Sequence, residues 1–204
     1  EYSACTIAGS LAFETGLSLV KLRAESMQAA GTTNPGTMAV IIGMTDENVM
    51  SMCNTISNDE SVVVAANFNS PGQVVISGNI NAVHEAMEKA HELGARMAKG
   101  LNVSGAFHSP LMAPAKKQLS AALDNIEINS AAMPVYANVT AQSTTAADEL
   151  RSNLKNQLDC PVKWHETIDN MKTAGAREMI EVGPGRVLQG LTRRIDKELT
   201  SRGV

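Results

Sequence analysis

The chain has 204 residues, with 17 Lys+Arg against 21 Asp+Glu and a formal net charge of -4, a balance that argues against charge-driven nucleic-acid binding. Hydrophobic residues at 44% and charged residues at 19% exclude a disordered composition, and no stretch approaches the roughly 18 apolar residues of a membrane span. Aromatics at 3% and 11 Met predict a core of aliphatic residues and methionine, in one large domain or two small ones. Glu1-Tyr2-Ser3-Ala4-Cys5 lacks the charged-then-apolar layout of a signal peptide. Cys5, Cys53 and Cys160 are too dispersed for a disulfide framework or a CxxC metal site, which makes a reducing compartment the default and gives no metal site.

Taken in order, Val20, Ala24 and Met27 repeat at i, i+4, i+7 and predict a helix over 16–30, closed by Gly31. Thr33-Asn34-Pro35-Gly36 reads as a turn and Met38 to Ile42 as a strand. Thr45 is placed to cap a helix with an apolar face of Val49, Met52, Cys53 and Ile56. Val62-Val63-Val64 is the next strand, and the turn chemistry of Asn69-Ser70-Pro71-Gly72 pairs it with Gln73 to Ser77. Ile80, Val83, Met87 and Ala90 give a further helix ended by Gly94, after which Met97, Leu101 and Val103 alternate as in a half-buried strand. The order over 37–103 is strand-helix-strand-strand-helix-strand, that of a ferredoxin-like unit.

Beyond it, Pro114 introduces a helix with Leu119, Ala122, Leu123 and Ile126 on one face, and Met133 to Asn138 reads as a strand. Leu150, Leu154 and Leu158 mark a helix ended by Cys160-Pro161, Trp164, Ile168 and Met171 another ended by Gly175, and Glu178 to Val182 a strand broken by Gly183-Pro184-Gly185. Strands separated by helices predict a parallel α/β layer, with the βαββαβ block inserted between its parts.

Among the four histidines, His84 and His91 share a helix face with Glu88 and read as solvated, and His165 precedes Glu166 without an H-E-x-x-H pattern. His108 stands apart, in the turn-rich Gly105-Ala106-Phe107-His108-Ser109-Pro110 between a strand and a helix; there it either projects into a site or bonds local backbone. Neither Ser104 nor Ser109 lies in G-x-S-x-G, so this base comes without a nucleophile. Arg23, between Val20 and Met27 on the apolar side of its helix, needs a salt bridge, a snorkelling path or a bound anion to offset desolvation. Gly183-Pro184-Gly185 lacks the Walker lysine and reads as a turn.

Six ordered blocks carry a family resemblance. They are Glu1-Tyr2-Ser3-Ala4; Leu19-Val20-Lys21-Leu22-Arg23 with Met27-Gln28; Asn67-Phe68-Asn69-Ser70-Pro71-Gly72-Gln73-Val74-Val75-Ile76; Gly105 to Met112; Gln157 to Trp164; and Glu181 to Leu188. Together they resemble the malonyl-CoA:acyl-carrier-protein transacylase family over the whole chain. The resemblance implies an α/β fold, with an α/β-hydrolase-like large subdomain (1–35 and 104–204) and an inserted ferredoxin-like small subdomain (36–103). It also implies ping-pong transfer of a malonyl group from malonyl-CoA to the phosphopantetheine thiol of acyl carrier protein. The family's serine lies in G-H-S-L-G, immediately before the position matched by Glu1, and is expected outside these 204 residues.

By the same resemblance His108 is the general base and acid, the backbone carbonyl of Gln157 orients its ring, and Arg23 binds the malonyl carboxylate. Met27 and Asn69 are implied pocket residues, and Phe107 matches the malonyl-selective form of the motif, in which the ring crowds an α-methyl group. Arg96 and Lys99 are candidates for the acidic carrier protein or for coenzyme A phosphates, with solvated surface charge an equal alternative, while Arg186, Arg193, Arg194 and Lys197 read as the polar face of a last helix. No permanently bound cofactor is implied. The family pattern is a monomer of the bacterial cytoplasm or of a plastid or mitochondrial matrix, not secreted, and touching neither membrane nor nucleic acid. Two other readings stay open: an acyltransferase domain of a multidomain polyketide or fatty-acid synthase, and a catalytically inactive acyl-CoA- or carrier-binding module.

Overall fold

A computed structural model describes residues 1–204. The chain opens with helices α1 (Tyr2–Ile7) and α2 (Phe13–Thr33). The buried stripe of α2 is Gly16, Leu19, Ser26, Met27 and Ala30, whereas Val20 and Ala24 face outward. The expected stripe is therefore rotated by about one residue, and half-buried Arg23 lies on the inward side, one turn from Leu19 and one from Ser26 and Met27. Gly31 does not close α2, which runs two residues further. It is needed for a different reason: a Cβ there would sit 2.7 Å from the carbonyl oxygen of Ser104, so only glycine lets the helix press against the Ser104–Gly105 backbone.

A four-stranded sheet follows, made of β1 (Gly36–Ile42), β2 (Val63–Ser70), β3 (Gln73–Asn79) and β4 (Met97–Gly100) in the order β2-β3-β1-β4, every neighbour antiparallel. Helices α3 (Asp46–Ile56) and α4 (Ile80–Glu92) complete the expected βαββαβ order. Thr45 caps α3 by accepting the Asn48 N–H at 3.3 Å. The period of two along the strands sends Ala39, Ile41, Val74 and Ile76 toward α3 and α4, where they meet Val49, Met52, Cys53, Val83, Ala86 and Ala90. The opposite face puts Met38, Ala66 and Val75 under Leu101, Val103 and Phe107.

Three local expectations over this block are corrected. Strand β2 continues through Asn67 to Ser70 with two register shifts, so the turn is confined to Pro71-Gly72. Ile80 is 43% exposed because Ala82, Val83, Ala86 and Ala90 form the inward face of α4. The last strand ends at Gly100; Leu101 still donates its N–H to Met38 at 2.9 Å, but Val103 turns back to bond Leu101.

The remaining chain passes through a short 3-10 turn at Pro110–Met112 into α5 (Ala113–Asp124), then β5 (Val135–Tyr136), β6 (Ser143–Thr144), α6 (Ala147–Asn156), α7 (Trp164–Thr173), β7 (Glu178–Glu181), α8 (Val187–Ile195) and β8 (Thr200–Gly203). Leu119 and Leu123 of α5, Leu150 and Leu154 of α6, and Leu158 beyond it join Leu19, Met27 and Ala30 in the largest apolar cluster. Each buried leucine contributes about 1.5–3 kcal/mol relative to exposure. The strand expected over 133–138 is only two residues long, because Ala137 closes a turn with Gln142 and the Asn138 N–H goes to the Glu1 carboxylate at 2.9 Å. The expected parallel layer reduces to the β7–β8 pair and a single parallel bridge between Asn67 and Val162. That bridge ties the edge of β2 to the segment after α6: Phe68 N–H donates to Val162 and Val162 N–H to Ala66, both at 2.8 Å. No helix is long and apolar enough to cross a membrane.

Two glycines in helices give opposite expectations. Gly190 in α8 has open space where a Cβ would go, so Gly190→Ala should raise stability by about 0.5–1 kcal/mol through helix propensity alone. Gly31→Ala gains the same propensity but drives a methyl into the Ser104 carbonyl, and should lower stability by about 1–3 kcal/mol. Urea denaturation of the two variants beside the parent chain checks the sign of each.

Candidate active site

His108 adopts φ +58°, the left-handed region, at a cost of about 1–2 kcal/mol for a residue with a Cβ. The surrounding contacts fix it there. Its N–H donates to the Leu158 carbonyl at 3.2 Å, and its ring Nδ1 lies 2.8 Å from the Gln157 carbonyl oxygen. Next to it Ser109 donates its hydroxyl to the Ala106 carbonyl at 2.6 Å and accepts the Leu111 N–H at 3.3 Å. Phe107 packs against both the large apolar cluster and the outer face of the small sheet.

The ring tautomer follows from this geometry. A carbonyl oxygen only accepts, so Nδ1 carries the proton and donates to Gln157, leaving the Nε2 lone pair as the free base. Burial holds the His108 pKa below its ordinary 6.5; the Gln157 carbonyl works against that shift and the Arg23 cation adds to it. The ring is therefore neutral at pH 7 and able to take a proton at Nε2.

Gln157 is the C-cap of α6 and is nearly fully buried, and its two oxygens serve different partners. The backbone carbonyl holds His108, while the side-chain Oε1 accepts from Arg23 Nη2 at 3.1 Å. Arg23 forms no ion pair, and its Nε–H is buried without a partner. Burial lowers its pKa against the opposing pull of Tyr2 and Glu1, yet a guanidinium stays charged. Tyr2 is the neighbour that the sequence did not point to. Its hydroxyl is buried beside Gln157 and Arg23, closes no hydrogen bond, and is pushed up to about 12 chiefly by burial. The only signal for it was its place in a matching block of a chain with two tyrosines.

The other expected site residues divide. Met27 is part of the main core, and Asn69 is half-buried at the register shift between Phe68 and Ser70. Arg96 and Lys99 are exposed at the β4 edge of the sheet, the edge opposite β2, and no hydrogen bond or ion pair links them to the His108 cluster. His84 and His91 are exposed, and His165 lies 3.3 Å from Asp169. A cavity of about 470 Å³ lies elsewhere, between α3, β2 and residues 161–166. Cys53 on its wall has its thiol pushed up to about 12 by burial, which leaves it inert. His108 thus presents a neutral imidazole with Nε2 unprotonated, near a cation held by the same residue that holds the ring.

Residues 1–200 match the acyl transferase domain family. A malonyl CoA-acyl carrier protein transacylase from Haemophilus influenzae is 44% identical over all 204 residues, which span 65% of that relative's length. The solved structure of the corresponding transacylase from Coxiella burnetii superposes with a TM-score of 0.95 at 38% identity, over 99% of this chain and 64% of that one. A malonyl-transacylase solved in complex with a type II polyketide acyl-carrier protein also gives 0.95, at 39% identity, covering 100% of this chain and 65% of that one. With its architecture and sequence both matching, the chain belongs to the acyl transferase domain family.

Proposed function

We propose that this chain carries the proton-transfer and carboxylate-recognition machinery of a malonyl-CoA:acyl-carrier-protein transacylase. The observation that carries the reading is Gln157, which orients the base His108 with one oxygen and the anion-binding candidate Arg23 with the other. In fold terms, this reading makes 36–103 an inserted ferredoxin-like subdomain, supported by the β2-β3-β1-β4 order, and 1–35 with 104–204 an α/β-hydrolase-like one.

The reaction needs a serine, and no serine hydroxyl in residues 1–204 hydrogen-bonds His108, so this reading assigns the nucleophile to a residue outside them. His108 Nε2 removes the serine proton as the oxygen attacks the malonyl thioester carbon. The tetrahedral intermediate collapses with cleavage of the C–S bond, and the imidazolium returns the proton to the departing coenzyme A thiolate. In the second half the carrier's phosphopantetheine thiol gives its proton to Nε2, attacks the malonyl ester, and the proton passes back to the serine oxygen. The Gln157 carbonyl stabilises the transient imidazolium without adding a negative charge. Arg23, whose guanidinium pairs with no carboxylate among residues 1–204, takes the free malonyl carboxylate. Malonyl-CoA is thus the donor substrate and acyl carrier protein the partner, with Arg96 and Lys99 as exposed cations for an acidic surface. This reading also makes the protein a monomer of the bacterial cytoplasm or of a plastid or mitochondrial matrix.

Brief exposure of the natural polypeptide that carries this chain to malonyl-CoA should add a malonyl-sized mass increment, and His108→Ala should slow its appearance about a thousandfold. No increment in the unsubstituted protein would overturn the reading. Followed by NMR, His108 should titrate below 6.5, and Arg23→Gln should move its midpoint upward because a neighbouring cation has been removed. Phe107→Ser should raise the rate with methylmalonyl-CoA relative to malonyl-CoA by about tenfold or more, measured as a ratio of kcat/KM values; an unchanged ratio removes Phe107 as the selector.

A further inference from the structure

We propose that the Gln157 side chain is a positioning group which fixes Arg23 through a neutral acceptor, and so keeps the guanidinium ordered while leaving its charge free for a substrate carboxylate. The inference rests on the carboxylate reading of Arg23 given above. The Arg23 Nη2 to Gln157 Oε1 contact at 3.1 Å is the one hydrogen bond the guanidinium makes within the chain. No carboxylate pairs with it: the nearby Glu1 carboxylate is engaged by the Asn138 N–H at 2.9 Å. The Nε–H and the Tyr2 hydroxyl are buried and unpartnered, so polar groups around Arg23 are held short of acceptors.

The identity of residue 157 then matters in a way its backbone does not. Any residue there presents a carbonyl to His108, but only an acceptor of this length reaches Arg23. A glutamate would reach equally well and bind more tightly, yet its negative charge would neutralise the guanidinium and compete with the incoming carboxylate. A glutamine orders the cation without that competition, which makes it a determinant of specificity for carboxylated acyl groups.

The test uses two variants of the natural polypeptide that carries this chain, with malonate as probe and malonamide as its uncharged counterpart. Gln157→Met keeps the side-chain volume and removes the acceptor; Gln157→Glu keeps the acceptor and adds the charge. Malonate affinity, read by NMR titration, should fall about tenfold in Gln157→Met and further in Gln157→Glu, while malonamide binding stays the same. The Nδ1 resonance of His108 should be unmoved in Gln157→Met, because its acceptor belongs to the backbone. A merely structural role predicts the reverse order, with the hydrogen-bond-preserving glutamate retaining affinity. Should the methionine variant fail to fold, the glutamate variant decides alone, since it restores the contact and still has to lose malonate. Malonate binding that survives Gln157→Glu would overturn the positioning inference alone. Absence of malonate binding by the unsubstituted protein would overturn the carboxylate reading beneath it.

Discussion

Just past the last turn of α6, the carbonyls of Gln157, its C-cap, and of Leu158 have no helical partner, and both are taken by one residue. His108 gives its ring Nδ1–H to the first and its backbone N–H to the second. A helix terminus buried against the core must find donors, and a base held in a left-handed conformation must be held by something; each requirement is met by the other. The rest of the architecture keeps these two elements in register. Leu150, Leu154 and Leu158 anchor α6 in the main core, and Gly31 lets α2 approach the Ser104–Gly105 backbone leading into the His108 loop. Asn34 adds a hydrogen bond to the Leu111 carbonyl at 3.2 Å, and Ser26 one to Gln118 at 2.8 Å.

The choice of a carbonyl rather than a carboxylate as ring partner sets the electrostatics. A buried carboxylate would raise the imidazole pKa, and beside Arg23 it would also take the cation as a counter-ion. A neutral oxygen fixes the tautomer with a smaller effect on charge, so burial and the guanidinium keep the ring unprotonated at pH 7. The same economy applies to Arg23, which is held by an amide and by no acid. The cluster accordingly retains a positive charge beside an unprotonated imidazole nitrogen.

Much of this was legible in the sequence, for reasons that differ by element. The βαββαβ order could be read because its strands carry β-branched runs bounded by strong turn residues, and its helices carry clear capping signals such as Thr45. Arg23 could be singled out because a charge near an apolar stripe is conspicuous, although the stripe itself was misplaced by Val20 and Ala24, whose outward placement no local pattern reveals. The short strands could not be read. Val135–Tyr136 ends early because Asn138 is drawn to Glu1, a contact across 137 positions, and Thr200–Gly203 has no apolar alternation to announce β8. Tyr2 was invisible as a site residue because its significance lies in a missing hydrogen bond, and Gln157 was read only through its backbone.

Phe107 shows why the base and the small sheet belong to one unit. Its ring touches the main apolar cluster on one side and the Met38–Val75 face of the sheet on the other, while its backbone precedes His108 directly. A shift of the sheet relative to the helical part therefore acts on the residue next to the base. The two Val162 hydrogen bonds oppose such a shift, since they fasten β2 to the segment that begins with Gln157 and Leu158. The left-handed backbone of His108 is thus enclosed by a loop of contacts running from β2 through Val162 to Gln157, across to His108, and back through Phe107 to the sheet. Closure of that loop spreads a local strain of about 1–2 kcal/mol over several hydrogen bonds, each contributing about 0.5–1.5 kcal/mol, and the Phe107 packing, whose sum lets a strained residue persist in a stable fold.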